Sequence, residues 1–272
     1  MKTGTLFVSA VALCLVVLSG ARGQTTVLVD DDFAGNPAPN SIGYYLSSDA
    51  ATTMATSGGD LRIAYTSNQS VHSGPVKSFT AQTLSEVGDK LTLSLKIRST
   101  DGGGWRNGEP DYVRVGFFNQ GRNATPIDDD LWIKWQGFGY FAAFGSNGNC
   151  GIWEWDHVYD NSSAGVFNGG DPGVNQLDNQ LDTDNLPDPT SSAITLTVEV
   201  QLTSDGVQIS YTSSSPGSTP AGFTDTAAPF TEFNALCVAV ERRSNDNEFA
   251  IDDVLVTCEE PAAAAGTVVI FR

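Results

Sequence analysis

Along most of this chain apolar residues recur at every second position, in short runs broken by Gly, Asn, Asp and Pro. The run Leu91-Thr-Leu-Ser-Leu-Lys-Ile-Arg98 is the clearest, with its aliphatic residues on one face and Thr92, Ser94, Lys96 and Arg98 on the other. A strand with one side on a core and one in water reads this way. Val27–Phe33, Asp60–Tyr65, Val76–Phe79, Asp111–Phe118, Leu131–Gln136, Gly139–Phe144 and Gly151–His157 carry the same signal. Ala193–Leu202 and Val207–Tyr211 flank Ser204-Asp-Gly206, a hairpin turn by composition. Ala235–Val240 and Phe249–Val256 predict a last hairpin around Arg242–Glu248. No stretch beyond the first residues shows a convincing 3.6-residue period, so the pattern predicts an all-β protein, a two-sheet antiparallel β-sandwich.

The closing strand, Phe249-Ala-Ile-Asp-Asp-Val-Leu-Val-Thr-Cys258, carries two adjacent carboxylates. On a regular strand Asp252 and Asp253 point to opposite faces, so one of them is expected to face the core. A carboxylate there needs a cation or several donors. The opening strand ends in Asp30, Asp31 and Asp32. Pairing of the two terminal strands would gather Asp30, Asp31, Asp32, Asp252 and Asp253 into a structural calcium site, because calcium takes a cage of carboxylate and carbonyl oxygens. The simpler alternative is an acidic, solvated edge that deters strand-to-strand association.

Met1–Gly23 has Lys2, an apolar run from Leu6 to Leu18, and small residues at Ala21 and Gly23. This is the pattern of a cleaved secretory signal, and its apolar run is too short to span a bilayer. Residues 24–260 then form the sandwich, and 261–272 an Ala-rich linker with a short closing strand, Thr267–Arg272, suited to self-association. Net charge is −18, two units more negative once Lys2 and Arg22 leave with the signal. Such acidity excludes nucleic acid as a partner and suits a secreted, extracellular protein without a membrane span. Cys150, Cys237 and Cys258 remain, and an odd number in an oxidising compartment predicts one disulfide with its partners left open.

The segments Thr83–Leu95, Val113–Asn119 and Ile251–Val254 resemble the secreted concanavalin A-like, or jelly-roll, modules, a superfamily that includes laminin-G-like, MAM-like and carbohydrate-binding domains. That resemblance implies a polysaccharide, glycan or matrix ligand. Within the chain, Trp153, Trp155 and His157 share one strand face, while Ile152, Glu154 and Asp156 share the other. Aromatic faces bind sugars because pyranose C–H groups stack on them while polar neighbours take the hydroxyls. Trp132, beside Lys134, and Trp105, in a Gly-rich loop, extend the candidate set, and the alternative is that these rings are core. Glu154-Trp-Asp156 is similar to the Glu-x-Asp-x-(x)-Glu strand of retaining glucanases, but Val158 and Tyr159 stand where its third carboxylate falls. The expectation is therefore a non-catalytic binder of carbohydrate or matrix. A glycoside hydrolase or polysaccharide lyase using Glu154 and Asp156, and a structural or adhesive surface protein, are the alternatives.

Overall fold

The structure, a computed structural model, describes residues 23–47, 52–65, 71–100, 112–119, 138–145, 151–156, 174–178, 192–214, 220–242 and 247–262. Its first sheet is built on β6 (Lys90–Ser99), whose Leu91, Leu93, Leu95 and Ile97 are fully buried on one face as the alternation requires. β11 (Ile194–Thr203) lies beside it and turns into β12 (Gly206–Ser213) with Thr203 paired to Gly206, the expected hairpin. β13 (Ala221–Asp225) forms that edge. On the other flank of β6 runs β15 (Asn247–Glu260), followed by β4 (Asp60–Tyr65) and β3 (Thr52–Ser57), while β1 (Gln24–Asp31) pairs with the second half of β15.

The second sheet runs in the order β10 (Val174–Asp178), β9 (Gly151–Asp156), β8 (Phe138–Gly145), β7 (Tyr112–Asn119), β14 (Glu232–Arg242), β5 (Val71–Thr83) and β2 (Tyr44–Ser47). Both sheets are antiparallel and close on one apolar core. This is the two-sheet antiparallel β-sandwich that the alternation predicted. β2, β3, β10 and β13 were not legible as strands; each is a short strand at the edge of its sheet. The strand expected at Leu131–Gln136 and the tail Thr267–Arg272 lie outside the described residues.

The last hairpin is not formed. β14 belongs to the second sheet, between β5 and β7, and β15 to the first, between β6 and the pair β1 and β4. Ala235–Ala239 is buried on both faces, Leu236 and Val238 in the main core and Ala235, Cys237 and Ala239 in a second cluster, as befits a strand with neighbours on either side. Neither strand has an edge to offer the other. Cys237 and Cys258 therefore sit in different sheets, both buried and both free thiols, and the disulfide expected from the cysteine count is not made by them.

The carboxylate pair in β15 is also resolved differently from a regular strand. Asp252 faces Lys96 of β6 and Leu255 faces Ser94, so β15 advances three residues while β6 advances two. Asp253 is the extra residue of this β-bulge, with φ of 49°. Phe249 and Ile251 point into the core before it, and Val254, Val256 and Cys258 after it. Strict alternation would drive Asp253 inward and the three later residues out; the bulge resets the phase and leaves both carboxylates on the solvent side.

Two tyrosine–aspartate contacts tie the sheets together. At one flank Tyr44 Oη of β2 donates to Asp31 Oδ2 of β1 at 2.9 Å, and Lys77 of β5 reaches the same oxygen at 2.5 Å while lying 4.7 Å over the Tyr44 ring. At the other, Tyr140 Oη of β8 donates to Asp225 Oδ2 of β13 at 2.7 Å and accepts from the Phe230 amide at 2.8 Å. Burial first, then Asp31, pushes the Tyr44 phenol well above its usual range, and burial first, then the bond to Asp225, does the same for Tyr140. Both stay protonated donors.

Asp252 has its carboxyl raised above the ordinary value, chiefly by desolvation and then by the neighbouring charges of Asp253 and Asp60, against the Asp253 amide and Lys96. A carboxyl that is easier to protonate folded than unfolded costs stability when ionised; the cost is absent below the unfolded value of 3.8 and grows as pH rises through the folded one. Asp252→Asn keeps an acceptor for the Asp253 amide, now 2.8 Å from Oδ1. It should raise the melting temperature at pH 7 and lose that advantage near pH 3. Thermal melts at the two pH values check this, and a variant less stable at pH 7 contradicts it.

Candidate functional site

The five carboxylates expected to hold calcium do come from paired terminal strands, but they are not gathered. Asp31 is taken by Tyr44 and Lys77, Asp253 pairs with Lys96, and Asp32 Oδ1 accepts from the Ala34 amide at 2.9 Å. Asp252 Oδ1 accepts from Asp253, and Asp30 is exposed. Calcium asks for six to eight oxygens converging on one point. Among the described residues no group of three His, Cys, Asp or Glu side chains offers that, and these five as placed do not fit the ion. Asp31 and Asp253 are instead each met by a lysine, and Asp32 and Asp252 by backbone amides. The same logic holds at buried Asp60, which meets the guanidinium of Arg98 and, at 3.7 Å, that of Arg62.

The second sheet carries the more informative surface. Val113, Val115, Phe117, Tyr140, Ala142 and Ile152 fill the core between the sheets, so the alternate residues of β7, β8 and β9 face away from it. That outer face is not polar. Val76, Phe118, Phe141, Ala235, Cys237 and Ala239 form a second buried cluster there, and Trp153 packs against it, half-buried. One row crosses the sheet in register as Gln176, Trp153, Phe141, Gly116, Cys237, Val76 and Tyr45. Gly116 is required in it, because a Cβ would fall 2.7 Å from the Phe141 Cβ and 2.1 Å from the Tyr140 carbonyl oxygen. The Phe141 ring so accommodated lies parallel to the Trp153 indole, centroids 5.5 Å apart and planes 4° from coplanar. Such offset stacking fixes the plane of the indole against the Phe141 ring. In the next row buried Arg114 stands between Ala143 and Ala239.

Glu154 takes the opposite side. It pairs in register with Tyr140 and shares the face of Tyr140 and Ile152, both in the core between the sheets. Its charge is one of the smaller influences raising the Tyr140 phenol. Trp153 and Glu154 are thus separated by the thickness of the sheet, as the alternation of β9 foretold. Trp155 pairs in register with Gly139 and Val174, and Asp156 with Phe138. Trp105, Trp132, Lys134 and His157 lie outside the described residues. The outer apolar cluster went unread in the sequence, although its signal is there: Phe117-Phe118 in β7 and Ala235–Ala239 in β14 are apolar at consecutive positions, the mark of a strand covered on both faces.

No protein-family model matches the chain, and no curated protein matches it. Among solved structures it is similar to the carbohydrate recognition domain of Emp47p, at 16% identity over 86% of this chain and 95% of that one, with a TM-score of 0.47. It is similar also to the CBM2 module of the evolved Dit of Lactobacillus casei BL23 phage J-1, at 10% identity over 88% and 98%, TM-score 0.49. A protein of unknown function with a galectin-like fold from Bacillus subtilis follows at 6% identity over 88% and 99%, TM-score 0.48. The strand order given above, rather than these likenesses, defines the fold.

The pairing of Asp31 with Lys77 and of Asp253 with Lys96 makes a direct expectation about calcium. Asp31→Asn and Asp253→Asn should leave unchanged whatever effect a chelator has on the melting temperature, because lysines rather than a cation meet these carboxylates. Scanning calorimetry of the wild type and both variants with calcium and with chelator tests it; a chelator effect that disappears in either variant would contradict the reading.

Proposed function

We propose that this protein is a secreted β-sandwich that binds carbohydrate without cleaving it, on the outer face of its second sheet, with Trp153 as the stacking platform. The observation that carries this is the division of β9: a half-buried indole stacked on Phe141 on one face, and Glu154 on the other. A pyranose packs its C–H face on a flat ring of this kind. Glycosidase chemistry needs two carboxyl groups flanking one scissile bond, about 5 Å apart for retention and somewhat further for inversion. A saccharide lying on Trp153 has Glu154 across the sheet from it and out of reach.

Affinity electrophoresis through gels containing a panel of polysaccharides tests the proposal, run beside a reducing-end assay. The wild-type protein should be retarded by at least one polysaccharide and release no reducing ends. Trp153→Ala should weaken the dissociation constant about tenfold, the equivalent of about 1.4 kcal/mol. Trp153→Phe, which keeps the stack on Phe141, should lose less, and Glu154→Gln should bind as the wild type does. Retention unchanged in Trp153→Ala, or reducing ends that vanish in Glu154→Gln, would overturn it.

A further inference from the structure

β1 has β15 as its strand neighbour on one side and, among the described residues, no strand on the other. An open edge presents a row of backbone donors and acceptors, and proteins cover such edges or blunt them. Here the first residues of the strand, Gln24–Val27, carry no charge and are exposed. The exposed large hydrophobic residues among those described are Val27, Val87 and Leu255. Val27 lies on β1 itself, paired with Thr257, and Leu255 on the adjoining strand β15, paired with Asp30, both on the outer face. Val87 lies away from this edge, beside Gly88, whose amide bonds the Leu202 carbonyl of β11.

The exit of the chain points to what fills the edge. After Glu260 the backbone lies against Gly23, the residue before β1: a Cβ on Gly23 would meet the Glu260 carbonyl at 2.7 Å and the Ala262 nitrogen at 3.4 Å. Ten residues follow Ala262, a small linker Ala263–Gly266 and then Thr267-Val-Val-Ile-Phe-Arg272. That last stretch is β-branched and aromatic with its one side-chain charge at the end, a composition that seeks a strand partner and is an aggregation hazard if left bare. We propose that Thr267–Phe271 adds in cis to the free edge of β1, running parallel to it. The four linker residues reach about 15 Å, against the two strand spacings, about 10 Å, that separate β15 from that position. In the parallel direction Arg272 arrives at the acidic end of β1, beside exposed Asp30.

Hydrogen exchange of Gln24–Asp31, read by mass spectrometry on the full chain alongside its mass by light scattering, decides the matter. A variant ending at Ala262 and the variant Val269→Pro, which removes a ladder donor, are compared with the hairpin β11–β12 as internal reference. The full chain should be monomeric, and both variants should exchange in β1 at least tenfold faster with the hairpin unchanged. Equal exchange in all three proteins would overturn the proposal, as would acceleration spread evenly over the molecule. Protection of β1 that appears only as a dimer forms would also overturn it, in favour of strand exchange between copies.

Discussion

The first sheet depends on one constraint: β15 must pair with β6 along almost its whole length while meeting two different strands, β4 and then β1, on its other side. The changeover falls at the bulge, with β4 ending opposite Ile251 and β1 ending opposite Val254. One extra residue there does two things. It places Asp253 in solvent, where Lys96 meets it, and it turns Val254, Val256 and Cys258 into the core. Each of those side chains buried rather than exposed is worth about 1.5 to 3 kcal/mol for a residue of valine size. A surface pair such as Asp253–Lys96 contributes about 1 kcal/mol at most, so burial of the aliphatic residues decides where the bulge lies.

The second sheet depends on a different balance. Its inner face closes the core, and its outer face is apolar as well, so β7, β8 and β14 are buried on both sides. The first sheet shows what a solvated outer face looks like: Thr92, Ser94, Lys96, Thr197, Glu199 and Ser210, with Lys90 paired to Glu199 and Glu259. Against that comparison the outer face of the second sheet stands out as apolar, with buried Phe141 backing the half-buried ring of Trp153. Tyr44–Asp31 and Tyr140–Asp225 hold the two sheets to each other at opposite flanks, so the ring-bearing face rests on a fixed base.

Period-two alternation revealed the fold wherever one face of a strand was wet. Leu91–Arg98 and Ala193–Leu202 are the plainest cases, and β1 pairs with β15 as the two acidic terminal segments suggested. The same rule failed at Asp252-Asp253, because a bulge is set by tertiary pairing with β6 and leaves no local mark other than the adjacent acids. It failed again at Ala235–Val240 and Phe249–Val256. Two apolar strands joined by a short polar link read as a hairpin, yet each is a central strand with both edges already taken. The candidate site was half legible. Alternation put Trp153 and Glu154 on opposite faces correctly, but no periodicity says which face looks at the other sheet, and that needed the pairing of Tyr140 with Glu154.

Single-residue deletions in β15 test the bulge most directly. Asp253 and Leu255 are both exposed, so loss of contacts alone predicts that removing either is tolerable. Side-chain phase separates them. Without Asp253, Asp252 still faces Lys96, Val254 follows in the core, and the strand becomes regular against β6. Without Leu255, Val256 and Cys258 are turned out to solvent. Thermal unfolding of the two variants should show the first melting within a few degrees of the wild type and the second failing to fold cooperatively. Equal damage in both, or a stable protein lacking Leu255, would contradict the account.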